Sequence, residues 1–185
     1  LLPIHVGRQA ACHGRAQLRS HRISANPAGG YVQARAQARV EANAAVRAAR
    51  LLGLPRRSTI FYDLEAFNTR TSTACTTSAR WFIHSWTIQL HALGYASGYY
   101  SSAASGVKML DDARVTPGNP YTLPDQIWIA DWNNKADTNS SYIRSDGWQP
   151  YARMHQYRGG HNETYGGATI NIDSNYLKLH TPSLP

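Results

Sequence analysis

Segments with the pattern of β-strands alternate with segments with the pattern of α-helices through the first half of this 185-residue chain. Strand-like runs occupy residues 2–6, 59–65 and 95–100, and helix-like runs occupy residues 31–52 and 77–93. Apolar side chains recur at helical spacing in the first helix-like run, at Val32, Ala36, Val40, Ala44, Ala48 and Leu51. Such alternation is typical of a parallel sheet whose strands are joined by helices, either doubly wound or closed as a barrel.

Three more strand-like runs follow in the second half, at residues 126–131, 153–157 and 168–173. The chain then has six strands, whereas a (β/α)8 barrel of the TIM type has eight. Because residues 2–6 read as a core strand already under way, we expect a TIM-type barrel whose first two strands are not in this chain. Residues 1–185 are then one N-terminally truncated domain, which we expect to be a monomer. We expect no membrane span, since no apolar run is long enough to cross a bilayer.

The chain carries a formal net charge of +8, which favours polyanionic partners such as nucleic acid, anionic lipid or an anionic cell wall. Glu41 is the only acidic residue among the first 57, which contain ten arginines. No recognised nucleic-acid motif accompanies this charge, so we do not expect a nucleic-acid partner. The eight histidines form no metal-ligand pattern, and neither a serine nucleophile elbow nor a phosphate loop is present, so we expect no metal and no cofactor.

Two carboxylates, Asp63 and Glu65, end the strand-like run at residues 59–65. Side chains alternate between the two faces of a strand, so these two acids point to one side while Tyr62 and Leu64 point to the other. Neighbouring acids whose pKa values are pushed apart are the equipment of general acid and base catalysis. The simpler interpretation is that both acids cap the turn or helix that follows the strand.

Four of the eleven acidic residues stand at or near the carboxyl ends of predicted strands, namely Asp63, Glu65, Asp131 and Asp173. In a parallel barrel these ends form the active face, so we expect the four carboxylates to converge. Aromatic and amide side chains gather at the same ends, and we take six residues as candidate substrate-binding groups: Tyr62, Tyr99, Asp131, Trp132, Gln156 and Tyr157. Rings that stack on sugars, amides that bond hydroxyls and paired acids together indicate a carbohydrate site.

Several of these motifs occur in an order that resembles one known family. They are residues 3–9, the Asp63-x-Glu65 strand, residues 90–101, the Trp-Ile-Ala strand at 128–130, residues 155–157 and the Gly-Gly to Asp segment at 166–173. The chain resembles the glycoside-hydrolase-like domain of unknown function found mainly in exported actinobacterial proteins. That domain is in turn similar to the family 25 lysozymes, which cleave peptidoglycan.

The resemblance implies roles for individual residues. Glu65 matches the proton donor, Asp63 matches the acid beside it, and Asp173 matches the acid that completes the catalytic cluster. Gln156 and Tyr157 match the strand bordering the cleft, whereas relatives more often carry a basic or aromatic residue in place of Asp131.

The expected function is a glycoside hydrolase acting on bacterial cell-wall glycan, peptidoglycan or a related polysaccharide. The alternative is a non-hydrolytic module that binds or remodels the wall on the same fold. Either function implies a secreted or wall-associated protein, and export would favour a disulfide between Cys12 and Cys75, the two cysteines of the chain.

Overall fold

The computed structural model describes residues 4–9, 23, 27–70, 72–182 and 184. Its strands are β1 (Ile4–Gln9), β2 (Thr59–Leu64), β3 (Ala96–Ser102), β4 (Gln126–Ala130), β5 (Ala152–Tyr165) and β6 (Ala168–Leu179). Its α-helices are α1 (Val32–Leu51), α2 (Thr73–Ala92) and α3 (Lys108–Arg114). A 3-10 turn at Pro27–Gly29 precedes α1, and a π-helical segment at Ala103–Val107 leads from β3 into α3.

The strands form one curled sheet in the order of the sequence, from β1 to β6. β1 to β5 pair in parallel, and β6 pairs antiparallel to β5. Helices α1 and α2 cover one face of the sheet, which we call the helix side. There the ring of Tyr62 in β2 lies 4.6 Å from the ring of Phe82 and 5.1 Å from that of Trp86. On the opposite face, which we call the open side, Phe61 meets Trp128 edge to face at 6.0 Å.

The prediction of a (β/α)8 barrel is wrong for the described chain, which forms a mixed, open half-barrel sheet with three α-helices. The final strand is the clearest departure. Gly166 and Gly167 both have positive φ, 54° and 84°, so they form the kind of tight turn that joins antiparallel strands. The chain therefore reverses directly from β5 into β6, and no helix crosses over to place β6 parallel to its neighbour.

Both long helices lie close to the predicted segments, and their ends have recognisable causes. α2 begins after Ser72, whose Oγ accepts a hydrogen bond of 3.2 Å from the backbone N–H of Cys75. The helix ends before Gly94, which has a φ of 82°. α1 ends before Gly53, which has a φ of 72°. The sequence therefore locates the helices correctly although it gives the wrong overall fold.

A loop without helix, residues 131–151, joins β4 to β5. Two buried side chains of β5 hold its backbone. The guanidinium of Arg153 donates to the carbonyl oxygens of Thr138, Arg144 and Gly147, at 2.5 to 3.2 Å. Both ring nitrogens of His155 lie 2.7 Å from loop carbonyl oxygens, those of Asp131 and Asp137. These bonds satisfy backbone acceptors that a helix would otherwise satisfy internally.

Cys75, near the start of α2, is disulfide-bonded. Cys12, the other half of the expected pair, lies outside the described residues. In the part of the chain that the structure describes, no helix is both long enough and apolar enough to cross a membrane.

Candidate active site

The two carboxylates of the Asp63-x-Glu65 motif lie at the carboxyl end of β2. Asp63 is buried, with 2% of its surface exposed, and it occupies the position beside Tyr100 in the parallel register of β2 and β3. Glu65 follows the end of the strand and is half-buried. Tyr62, which directly precedes Asp63 in β2, points to the helix side. The side chains of β2 therefore alternate between the two faces as the sequence predicts.

Tyr100 brings the acidic residues of three segments into one electrostatic environment. Burial raises the pKa of its phenol, and the charges of Glu65, Asp63 and Asp173 raise it further, to about 12. The phenol therefore stays protonated at neutral pH and donates a hydrogen bond of 3.0 Å to Oε1 of Gln156. The charges of three of the four carboxylates expected to converge thus act on a single tyrosine.

Gln156, at the point where β5 leaves the parallel part of the sheet, joins these groups. Its Oε1 accepts hydrogen bonds from the hydroxyl of Tyr100 and from Nε1 of Trp132, each 3.0 Å long. Its Nε2 donates to Oδ2 of Asp173 at 3.0 Å, and Oδ1 of Asp173 accepts from the backbone N–H of Gly160 at 2.7 Å. Because two donors meet the oxygen and an acceptor meets the nitrogen, the amide has one orientation only.

Trp132 forms an exposed aromatic surface at the edge of this cluster. Its side chain is 64% exposed, although Nε1 is bonded to Gln156. The indole lies directly over Gly159, so closely that a Cβ at residue 159 would stand 2.6 Å from Cδ2 of the ring and closer still to two neighbouring ring atoms. One face of the indole therefore rests on the backbone of β5 while much of the ring remains open to solvent.

The fourth carboxylate does not join the cluster. Oδ2 of Asp131 accepts a hydrogen bond of 2.7 Å from Oγ of Ser140, within the loop that follows β4. Its charge is also absent from those that shift the pKa of Tyr100. Of the four acids expected to converge, three therefore act on Tyr100, and Asp131 bonds within the loop.

Three of the aromatic candidates lie away from the cluster. Tyr62 and Tyr99 are buried on the helix side of the sheet, where burial raises the pKa of both phenols. Tyr157 neighbours His155, with ring centres 6.3 Å apart, on the side opposite Gln156. Since the side chains of Tyr62 and Tyr99 are enclosed by protein, we do not include these two residues in the proposed site.

The structure brings into this site two residues that are not among the six candidate substrate-binding groups. Tyr100 takes the place expected for Tyr99, since it alone of the two shares the face of Asp63. Trp128 packs against Tyr100 with ring centres 5.1 Å apart and donates from Nε1 to Asn175 at 2.8 Å. The alternation of side chains along β3 could have separated Tyr99 from Tyr100 once the register with β2 was known.

A cavity lies at the other end of the sheet. It has a volume of about 770 Å³ and is lined by residues around the starts of β2 and β4 and the end of β6, among them Arg56, Phe61, Gln126 and Leu179. This cavity contains none of the clustered carboxylates. Among the described residues, no group of three or more histidine, cysteine or acidic side chains is arranged to hold a metal ion.

The chain was also compared with known protein families and structures. Residues 1–177 match the model of a family described as the Rv2525c-like, glycoside hydrolase-like domain. A crystal structure of an uncharacterized B. stearothermophilus protein is similar at 22% sequence identity with a TM-score of 0.46, over 77% of this chain. This chain spans 62% of the length of that protein. A search among curated proteins finds no match.

Proposed function

The chain belongs to the Rv2525c-like, glycoside hydrolase-like domain family, and we propose that it is a glycosidase acting on bacterial cell-wall glycan, peptidoglycan or a related polysaccharide. One observation carries the proposal, namely that the charges of Asp63, Glu65 and Asp173 all act on Tyr100. Hydrolysis of a glycosidic bond needs one carboxylic acid to protonate the leaving oxygen. It also needs a second carboxylate, or an equivalent group, to stabilise the oxocarbenium-like centre.

The different burial of the two acids supports different roles for them. Glu65 is half-buried beyond the end of β2, so a glycosidic oxygen can reach it, and we assign it the role of proton donor. Asp63 is almost fully buried beside Tyr100, and we assign it the stabilisation of positive charge or of a substrate acetamido group. Such a reaction, whether retaining or substrate-assisted, requires no metal and no cofactor.

The surrounding groups suit a polysaccharide. The exposed indole of Trp132 offers a flat surface on which a sugar ring can stack. Gln156 holds the exposed carboxylate of Asp173, which presents oriented oxygens to sugar hydroxyls. The net charge of +8 favours a wall that carries anionic polymers. The disulfide at Cys75 supports an exported or wall-associated location.

Replacing Glu65 by Gln tests the assignment, because the amide has nearly the same shape but cannot donate the proton. We expect the release of reducing ends from purified peptidoglycan to fall by roughly 100-fold or more. The matched control is Glu163→Gln, since Glu163 is bonded to His161 on the β5–β6 hairpin, away from the cluster. Equal rates for Glu65→Gln and the wild type would rule out the role of Glu65.

A non-hydrolytic wall-binding module is the second candidate. The arrangement that favours it is the exposed indole of Trp132, fixed by Gln156 and Gly159, because a stacking surface needs no catalytic group. This function predicts that glycan binding survives Glu65→Gln and falls in Trp132→Ala, with no product released by the wild type. Measuring binding and product release on the same peptidoglycan preparation separates the two functions.

A further inference from the structure

The apolar stripe of α1 faces solvent instead of the protein core. The residues of α1 that are buried are mostly alanines, with one valine: Ala34, Ala38, Ala42, Ala45, Val46 and Ala49. The larger apolar side chains predicted from helical spacing lie outside, with Val40 64% exposed and Leu51 89% exposed. Leu52, just past the helix, is 71% exposed. In most surface helices the larger apolar side chains face the core. In α1 they face outwards instead, and an exposed apolar surface of this kind marks a site of interaction.

Arginines surround this apolar stripe. Arg39, Arg47 and Arg50 are exposed on α1, and Arg56 and Arg57 are exposed in the turn that follows. No acidic residue occurs between residues 42 and 62. The single acid of α1, Glu41, lies near enough to Tyr62 in β2 to add to the effect of burial in raising the pKa of that phenol, so it faces the sheet.

The turn that carries the last two arginines is held in place. The backbone N–H of Arg57 donates to the carbonyl oxygen of Gly94 at 2.8 Å. The guanidinium of Arg56 lies over Gly94, where a Cβ would leave it no room. These contacts hold the turn against Gly94. The turn and α1 together form what we call the basic-apolar surface, made of Val40, Arg47, Arg50, Leu51, Leu52, Arg56 and Arg57.

We propose that the basic-apolar surface docks the protein on an anionic lipid membrane. Arginines alone would suit any polyanion, but two adjacent leucines exposed at the end of a helix gain free energy only by entering an apolar phase or an apolar partner. A helix face with cations around exposed aliphatic side chains is typical of a peripheral attachment to the headgroup region. Each arginine near an anionic bilayer adds attraction that salt screens.

This docking would orient the rest of the molecule. The turn at Arg56 and Arg57 precedes β2, whereas Asp63 and Glu65 lie at its end, so the part of the basic-apolar surface at residues 51–57 and the candidate active site lie at opposite ends of β2. A six-residue strand is about 20 Å long. A molecule attached through residues 51–57 of this surface therefore holds the carboxylate cluster about one strand length away from the point of attachment.

Co-sedimentation of the chain with vesicles tests the proposal. We expect binding to vesicles made of equal parts phosphatidylglycerol and phosphatidylcholine, and little binding to phosphatidylcholine alone. The double variants Leu51→Ser/Leu52→Ser and Arg47→Gln/Arg50→Gln should each weaken binding at least about tenfold. Leu51→Trp should strengthen binding, because an indole is favoured at the membrane interface. A gain of affinity in this last variant cannot result from misfolding.

Matched controls place equivalent changes elsewhere on the surface. Val115→Ser/Ile170→Ser removes two exposed apolar side chains, and Arg70→Gln/Arg158→Gln removes two exposed arginines. Both should bind vesicles like the wild type. The proposal is overturned if the wild type ignores anionic vesicles, or if the controls lose as much affinity as the test variants. It is also overturned if the arginine changes alone matter, since the surface then binds a polyanion such as a wall polymer instead of a membrane.

Discussion

Gly159 sets the position of the exposed Trp132, and replacing it by alanine tests how the aromatic surface is built. The added Cβ would stand 2.6 Å from Cδ2 of the indole, whereas ordinary carbon contacts begin near 3.4 Å. The ring must therefore move by about 1 Å or more. Since Trp132 is largely exposed, it can swing outwards into solvent, and we expect it to lose the hydrogen bond that it donates to Gln156.

The expected cost in stability is small for this reason. Losing one hydrogen bond costs about 1 kcal/mol, and replacing glycine by alanine returns roughly 0.4–1 kcal/mol by restricting the unfolded chain. The net destabilisation of Gly159→Ala is then about 0–1 kcal/mol. Gly98→Ala is the matched comparison, since a Cβ there would lie 2.5 Å from Cγ of Phe61. Phe61 is 3% exposed and packs against Trp128, so a Cβ at residue 98 must displace a buried ring, and Gly98→Ala should cost about 1–3 kcal/mol.

Two measurements separate these outcomes. Urea unfolding gives the free energy of each variant, and we expect Gly98→Ala to be less stable than Gly159→Ala by about 2 kcal/mol. The indole N–H signal of Trp132 in a nitrogen-15 correlation spectrum should shift strongly in Gly159→Ala and little in Gly98→Ala. If Gly159→Ala costs as much as Gly98→Ala, or leaves the Trp132 signal in place, then the indole is not seated on Gly159 as described.

Asp111→Asn should lower the free energy of unfolding, measured in urea, by about 2–3 kcal/mol. The reason is that the fully buried carboxylate accepts hydrogen bonds of 3.1 Å from the backbone N–H of Arg144 and 2.7 Å from its guanidinium. A loss of stability below about 1 kcal/mol would contradict this. At His84, Nδ1 accepts a bond of 2.9 Å from the backbone N–H of Thr122, and burial together with the charge of Arg35 lowers the pKa of the ring. The stability due to neutral His84 is therefore complete above the unfolded pKa, about 6.5, and is lost as the pH falls towards the folded value. Between pH 7.5 and 5 the wild type should then lose more stability in urea than His84→Gln does, and equal losses would refute the assignment.

The helices and β2 could be predicted because their signals are local. The Asp63-x-Glu65 alternation needs only the period of a strand, and the end of α2 needs only Gly94 after the last turn. The barrel prediction failed where the signal depends on how two segments pair. The Gly166–Gly167 pair could be read as a loop before a further parallel strand, but both residues take the left-handed conformation of a hairpin turn.

The candidate site shows the same limit. Tyr100 and Gln156 are 56 residues apart, and the bond between them depends on two intervening strand pairings. Without that register, Tyr99 and Tyr100 are equivalent in sequence, although only Tyr100 faces the carboxylates. The buried face of α1 could not be predicted for a related reason. The periodicity of the sequence shows that one face of the helix is more apolar, but it does not show which face meets α2. Close packing between helices favoured the alanine face.

The carboxylates of the chain differ in the groups on which their charges act. The chain has eleven acidic and nineteen basic side chains, so most carboxylates could lie beside a cation. The carboxylates of Asp111, Asp112 and Asp146 do so, in ion pairs with Arg114 and Arg144. The charges of Asp63, Glu65 and Asp173 share another effect, since together with burial they raise the pKa of the Tyr100 phenol. Strongly shifted pKa values cluster at functional sites, so the raised pKa of Tyr100 supports the proposed site.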